Sequence, residues 1–197
     1  MRRVPSSRYC RMKADRGDCL LLVIDIQERL IDTILERQRL VHSARALVKA
    51  AETLNLPILT TEQEKLGDTV PELEKALTSH QKFKKLTFNC CQNAEFMSKL
   101  RRLGRKTVVV CGIEGHICVL QTVLDLIERG YTVHVVKDAV SSRSQVDVET
   151  AIGRMRDAGA VITTTEALIY ELTERAGTNE FGEILQIVKE RRSTITA

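Results

Sequence analysis

Three residue types in this 197-residue chain fall where chemistry is possible: an aspartate, a lysine and a cysteine. Asp25 follows directly on the apolar run at 19–24. Cys118 follows the β-branched run at 108–110 after two glycines, Gly112 and Gly115. A third apolar-to-polar stretch, 83–88, brings Lys85 or one of its neighbours Lys82 and Lys84. A carboxylate set behind five apolar residues is costly to bury alone, so it calls for a partner. Together the three groups fit attack on a carbonyl. The carboxylate takes a proton from the thiol, and the ammonium keeps the carboxylate charged and helps polarise the substrate. Each group also has a plainer reading: a core cysteine, an aspartate capping a helix from Gln27 onward, and a surface lysine.

The elements that would position them can be read from periodicity. Residues 19–24, 57–61, 83–88, 107–111, 132–136 and 160–163 read as strands. Helical spacing covers 37–54, 70–77, 93–103, 117–129, 148–158, 166–175 and 181–192. Val108, Val109 and Val110 suit a strand buried on both faces. From Ile117 the apolar period changes to that of a helix, placing Cys118 in a first turn. There, free N–H groups and the helix dipole would ease thiol ionisation and could hold an oxyanion. Strands alternating with helices predict an α/β fold, a doubly wound, Rossmann-like six-stranded parallel sheet with helices on both faces. In such a sheet the site lies at the carboxyl ends of the central strands.

The charge narrows the partners. Of 30 basic and 26 acidic residues, six basic and two acidic fall in residues 1–18, leaving 24 of each for the rest. The excess of +4 therefore sits in the N-terminal segment, and composition gives no support to a basic groove on the domain. Residues 1–18 are read as a flexible basic tail and 19–197 as one domain. The tail has no apolar core for a secretory signal. Its Arg and Ser content is that of a mitochondrial presequence, but Asp15, Asp18 and the missing apolar face count against one. No stretch is apolar enough to span a membrane. Six cysteines without C-x-x-C or zinc spacing suit reduced thiols and a cytoplasmic location.

The runs LLVIDIQ (21–27), KKLTFN (84–89), VVVCGIEGHICVLQT (108–122) and VHVVKDAVSSRS (133–144) resemble the isochorismatase-like cysteine hydrolases, a family that includes nicotinamidases and N-carbamoylsarcosine amidohydrolase. The SSRS stretch is most similar to the eukaryotic isochorismatase-domain-containing branch. The resemblance implies a catalytic triad of Asp25, Lys85 and Cys118. It also implies an oxyanion hole from the backbone N–H groups of Glu114 and Cys118, a cis peptide at Ile113–Glu114, and a homo-oligomer. The implied reaction splits a carboxamide, releases ammonia and hydrolyses a thioester.

Two departures refine this expectation. Metal-binding nicotinamidases carry an Asp-x-His and further histidines after the second strand, whereas this chain has TTEQEKLGDT, so no metal and no cofactor is expected. True isochorismatases lack the nucleophilic cysteine, so Cys118 argues against vinyl-ether cleavage. His134 reads as a core residue in a strand, and His116 borders Cys118 without serving as the base. The expected function is a metal-independent cysteine amidohydrolase acting on a small amide or carbamoyl compound. Gln27, Thr61, Gln63, Phe88 and Asn89 are expected as pocket neighbours. The alternatives are a catalytically idle scaffold of the same fold and, on the basic tail alone, a nucleic-acid-binding or nuclease protein.

Overall fold

A computed structural model of the protein describes residues 12–195. Six parallel strands form one sheet in the order β3-β2-β1-β4-β5-β6. They are β1 Cys19–Ile24, β2 Ile58–Gln63, β3 His80–Lys85, β4 Thr107–Gly112, β5 Thr132–Val140 and β6 Val161–Thr163. The helices are α1 Glu28–Ile31, α2 Arg37–Thr53, α3 Pro71–Glu74, α4 Ala94–Leu103, α5 Leu120–Glu128, α6 Gln145–Asp157, α7 Thr165–Thr173 and α8 Phe181–Ile195.

Every residue of β1 and β4 is buried, because helices cover both faces of the sheet. Alternation along the strand divides their side chains between two cores. Cys19, Leu21, Val23, Val109 and Cys111 join residues of α2, α7 and α8. Leu20, Leu22, Ile24, Val108 and Val110 join residues of α4, α5 and α6 on the other face. The central strands β1 and β4 pair in register from Cys19↔Thr107 to Ile24↔Gly112, and the chain winds outward in opposite directions from them. Their carboxyl ends therefore form the crevice where such sheets bind ligands.

Several boundaries differ from the sequence reading. Edge strand β3 runs from His80 to Lys85, not 83–88, because its ladder with β2 begins at Ile58↔His80 and ends at Gln63↔Lys85. Only Phe83 and Lys85 are buried along it, and Phe83 meets Phe96 edge-on with centroids 5.7 Å apart. Strand β5 extends to Val140 because its register against β4 shifts, with Val110 opposite Val135 but Gly112 opposite Val140. The segment that the charge pattern assigned to the tail is partly anchored. Ala14 is buried, Arg16 donates to the Leu54 carbonyl at 2.8 Å and pairs with Glu180, and Asp18 accepts from the Lys106 amide. Residues 1–11, including Cys10, lie outside the described residues.

The helix expected from Ile117 is also different. Residues Gly115–Val119 form a π-helical turn, with the Val119 amide reaching back to the Glu114 carbonyl at 3.2 Å, and regular α5 starts only at Leu120. Cys118 sits within that wider turn rather than in an α-helical first turn. Gly112 makes the approach possible: its φ is 138°, and a Cβ there would lie 2.1 Å from the Ile24 carbonyl oxygen.

Candidate active site

The carboxyl ends of β1, β3 and β4 bring Asp25, Lys85 and Cys118 together. Lys85 Nζ lies 2.6 Å from Asp25 Oδ2, 2.9 Å from Gln63 Oε1 and 3.7 Å from Cys118 Sγ, so its three N–H groups each have a target. Asp25, Lys85 and Cys118 are all buried. Among the three plainer readings, two lose their basis here. Lys85 is not a surface residue, and the first turn of α1 receives no side-chain cap from Asp25.

Asp25 has a φ of 52°, in the left-handed region that a non-glycine residue rarely adopts, and such outliers concentrate at functional sites. The Asp25 amide donates to the Thr61 carbonyl at 3.1 Å, and Thr61 Oγ1 donates to Asp25 Oδ1 at 2.8 Å. Thr61 thus fixes both the backbone and one oxygen of Asp25, leaving the other oxygen to Lys85.

The electrostatics correct one expectation. Burial pushes the Cys118 thiol up from its ordinary value, the Asp25 charge pushes it further, and Lys85 only partly offsets them. The thiol at rest is therefore neutral, not acidified by a helix start, because the site is dry and carries a carboxylate. Desolvation works against the Lys85 charge, yet the Asp25 carboxylate beside it outweighs it, so its pKa is raised. The resting arrangement is a thiol beside a carboxylate–ammonium pair, in which a base must act as the sulfur attacks.

The other expected neighbours have distinct positions. Gln27 is fully buried and committed to the backbone: its amide nitrogen donates to the Gln63 and Gly67 carbonyls, and its carbonyl accepts from the Gln63 amide. It holds the ends of β1 and β2 together, with both side-chain N–H groups spent on backbone carbonyls. Gln63 passes that constraint to Lys85 and also donates to the Leu86 carbonyl. Asn89 caps the short turn Cys90–Gln92 through the Cys91 amide and donates to Asp125. Phe88 stands 52% exposed.

On the β4 side, the Ile113–Glu114 peptide is cis. The Glu114 amide takes no backbone acceptor among the described residues, and the Cys118 amide takes none outside its own turn. The Glu114 carboxylate is buried and meets the Arg143 guanidinium at 2.6 Å, an ion pair outside hydrogen-bond alignment. His116 Nδ1 lies 3.0 Å from Ser142 Oγ. In the sequence Arg143 and Ser142 stand out only as part of SSRS, since sequence separation hides their contact with the turn. Among the described residues no three His, Cys, Asp or Glu side chains are grouped to hold a metal. His134 is buried within β5, as its place in an apolar strand suggested.

Residues 19–167 match the family model described as Isochorismatase domain. The chain belongs to the isochorismatase family. Mouse isochorismatase domain-containing protein 2A is 41% identical over 175 residues, spanning 87% of this chain and 82% of that protein. The secreted isochorismatase effector Isc1 of Phytophthora sojae is 39% identical over 177 residues, spanning 87% and 84%. A solved structure described as MAR1 ribonuclease from Caenorhabditis elegans superposes with a TM-score of 0.85 at 37% identity, covering 89% and 92%. The isochorismatase match covers all six strands, and with them Asp25, Lys85 and Cys118. Among the described residues no helix is long and apolar enough to cross a membrane.

Proposed function

We propose that the protein is a cysteine amidohydrolase that splits the C–N bond of a small amide or carbamoyl compound through a thioester on Cys118. The observation that carries the reading is the Lys85 ammonium, 2.6 Å from Asp25 and 3.7 Å from Cys118 at the switch point of the sheet. Asp25 takes the thiol proton as Cys118 Sγ bonds to the carbonyl carbon. The negative oxygen of the tetrahedral intermediate is received by the Glu114 and Cys118 amides. Asp25 then returns the proton to the leaving nitrogen, the C–N bond breaks and ammonia departs. Water, with Asp25 again the base, attacks the thioester and releases the acid and the thiol. Lys85 stays charged throughout and keeps Asp25 a carboxylate when the thiol proton is not on it.

Ammonia release across a panel of small amides, wild type beside Cys118→Ala, tests this. Release that depends on Cys118 supports it; release unchanged in the variant, or none from any amide, overturns it. The reaction needs no metal, so turnover unaffected by a chelator belongs to the same reading, and turnover lost to the chelator and restored by zinc, iron or manganese would contradict it.

A ribonuclease reading is favoured by the description of the nematode relative. RNA cleavage lost in Cys118→Ala would favour it over amide hydrolysis. An idle scaffold is disfavoured by three ionisable groups held within contact distance in a buried site, an arrangement without evident structural benefit.

The working form we propose is a homo-oligomer. Leu86 and Phe88, just past Lys85, are 69% and 52% exposed, and Val146 at the start of α6 is 72% exposed. Sedimentation as a monomer at micromolar concentration would overturn this. We place the protein in the cytoplasm because five buried thiols are free among the described residues. The name of the Phytophthora relative makes secretion the outcome to look for, and recovery from the medium would refute the assignment.

A further inference from the structure

We propose that Arg143 is a positioning residue for the hydrolysis, acting through the buried carboxylate of Glu114 to fix the amide that receives the oxyanion. The inference rests on the cysteine-hydrolase reading above. Glu114 supplies three things at one point in the chain. Its amide is a proposed oxyanion donor, its carbonyl accepts from Ile117 and Val119 within the turn, and its carboxylate is 95% buried in side-chain area. A buried carboxylate without a partner is costly and is drawn towards water. The Arg143 guanidinium at 2.6 Å supplies that partner, and in this proposal it thereby holds the Glu114 side chain and the backbone that carries it in place.

Arg143 does not act alone. The Gly115 amide donates to the Ser141 carbonyl at 2.7 Å, and the His116 amide to Ser142 Oγ at 3.3 Å. A Cβ on Gly115 would come within 3.0 Å of Val140 Cγ1 and 3.1 Å of Ser142 Oγ. Three successive residues after β5 thus grip three successive residues before Cys118. Ser141 is itself held by donating to the Leu35 carbonyl at 2.7 Å, so the grip is referred to the rest of the domain. Only the Arg143 contact involves the residue whose amide is the proposed oxyanion donor, so its loss should act on that donor while leaving the thiol in place.

Two reagents separate these effects on the full chain. p-Nitrophenyl acetate acylates a thiol through a tetrahedral oxyanion: the Sγ–C bond forms, the ester C–O bond breaks, p-nitrophenolate leaves, and the thiol proton passes to Asp25. Iodoacetamide alkylates the same sulfur by displacing iodide at a saturated carbon, with no oxyanion. Deletion of one oxyanion donor costs about 100- to 1,000-fold, so misplacing one is expected to cost about 10- to 100-fold. Arg143→Ala should slow acylation of Cys118 by that factor and leave its alkylation within about twofold, since only the donor is disturbed. Arg143→Lys should recover part of the loss. Glu114→Gln should slow acylation similarly, and the double variant Glu114→Gln/Arg143→Ala should be no slower than the worse single one, as expected for two residues acting as a unit. Acylation unchanged in Arg143→Ala, or falling in step with alkylation, would overturn the inference. So would strict additivity with Glu114→Gln, which would mean that Arg143 meets the reagent directly. A wild-type Cys118 that is alkylated but never acylated would instead refute the hydrolase reading, and the inference with it.

Discussion

Lys85 and Cys118 touch, yet they carry different burdens. Lys85 neutralises a carboxylate that the fold has taken out of water, whereas Cys118 is a neutral thiol that the surrounding apolar groups accept without penalty. Lys85→Ala is therefore expected to lose turnover and about 3–5 kcal/mol of stability, the usual cost of stranding one partner of a buried ion pair. Cys118→Ala is expected to lose turnover while shifting stability by no more than about 1–2 kcal/mol, the scale of most single substitutions. Urea unfolding of the two variants beside wild type checks this. Equal losses would mean that Asp25 finds another partner when Lys85 is removed.

At the scale of elements, the junction of β1 and β4 decides whether the site exists. Gly112 closes β4 against Ile24, the last residue of β1, and Asp25 begins one residue later. An added Cβ would lie 2.1 Å from the Ile24 carbonyl oxygen, a backbone atom that cannot swing aside. At Gly115 the nearest atoms are Val140 Cγ1 at 3.0 Å, Ser142 Oγ at 3.1 Å and the Ser141 carbonyl oxygen at 3.3 Å. Gly112→Ala should therefore destabilise by at least about 3 kcal/mol, in the tail of single-substitution effects. Gly115→Ala should cost less than half as much, because none of its contacts comes closer than 3.0 Å and its φ is not in the left-handed region. Chemical denaturation of both variants orders them, and a Gly115 variant as unstable as the Gly112 one would contradict the geometry.

Across the whole molecule, the buried thiols set an alkaline limit. Burial raises Cys90 to about 11 and Cys19, Cys91 and Cys111 to about 12, each from 9.0, and raises Cys118 as well. A group whose folded pKa lies above its unfolded one stabilises fully below the unfolded value and loses that contribution as pH rises towards the folded one. The raised Lys85 acts with the same sign, its contribution falling only above its ordinary 10.5. Stability should thus hold to about pH 8.5 and fall between about pH 9 and 11, by up to about 1.4 kcal/mol per pH unit for each thiol that ionises only in the unfolded chain. Melting temperatures under a reductant, taken across pH 7–10.5, test this, and Cys111→Ala should flatten the decline. A profile level through pH 10 would refute it.

The sequence by itself determined the architecture and where the ends of its central strands lie. The apolar runs at Cys19–Ile24 and Thr107–Gly112 are long and unbroken, because strands covered on both faces have no polar side to interrupt them. Their ends then mark where polar residues such as Asp25 emerge. The choice of Lys85 over Lys82 and Lys84 was not legible from periodicity, and came only from a resemblance, because β3 is an edge strand with little apolar signal. Pairing across the sheet decides it: Lys82 is drawn to Glu62 and Glu74, while Lys85, opposite Gln63, turns inward to Asp25. The state of the Cys118 thiol was misread for a related reason. A local pattern announces a helix start, but the burial and the nearby charges are brought to Cys118 by Lys85, 33 residues away, and by Asp25, still further along the chain. Contacts such as Arg143 with Glu114 leave no periodic trace at all, since one salt bridge between two loops imposes no spacing on either. Only the folded chain brings them face to face.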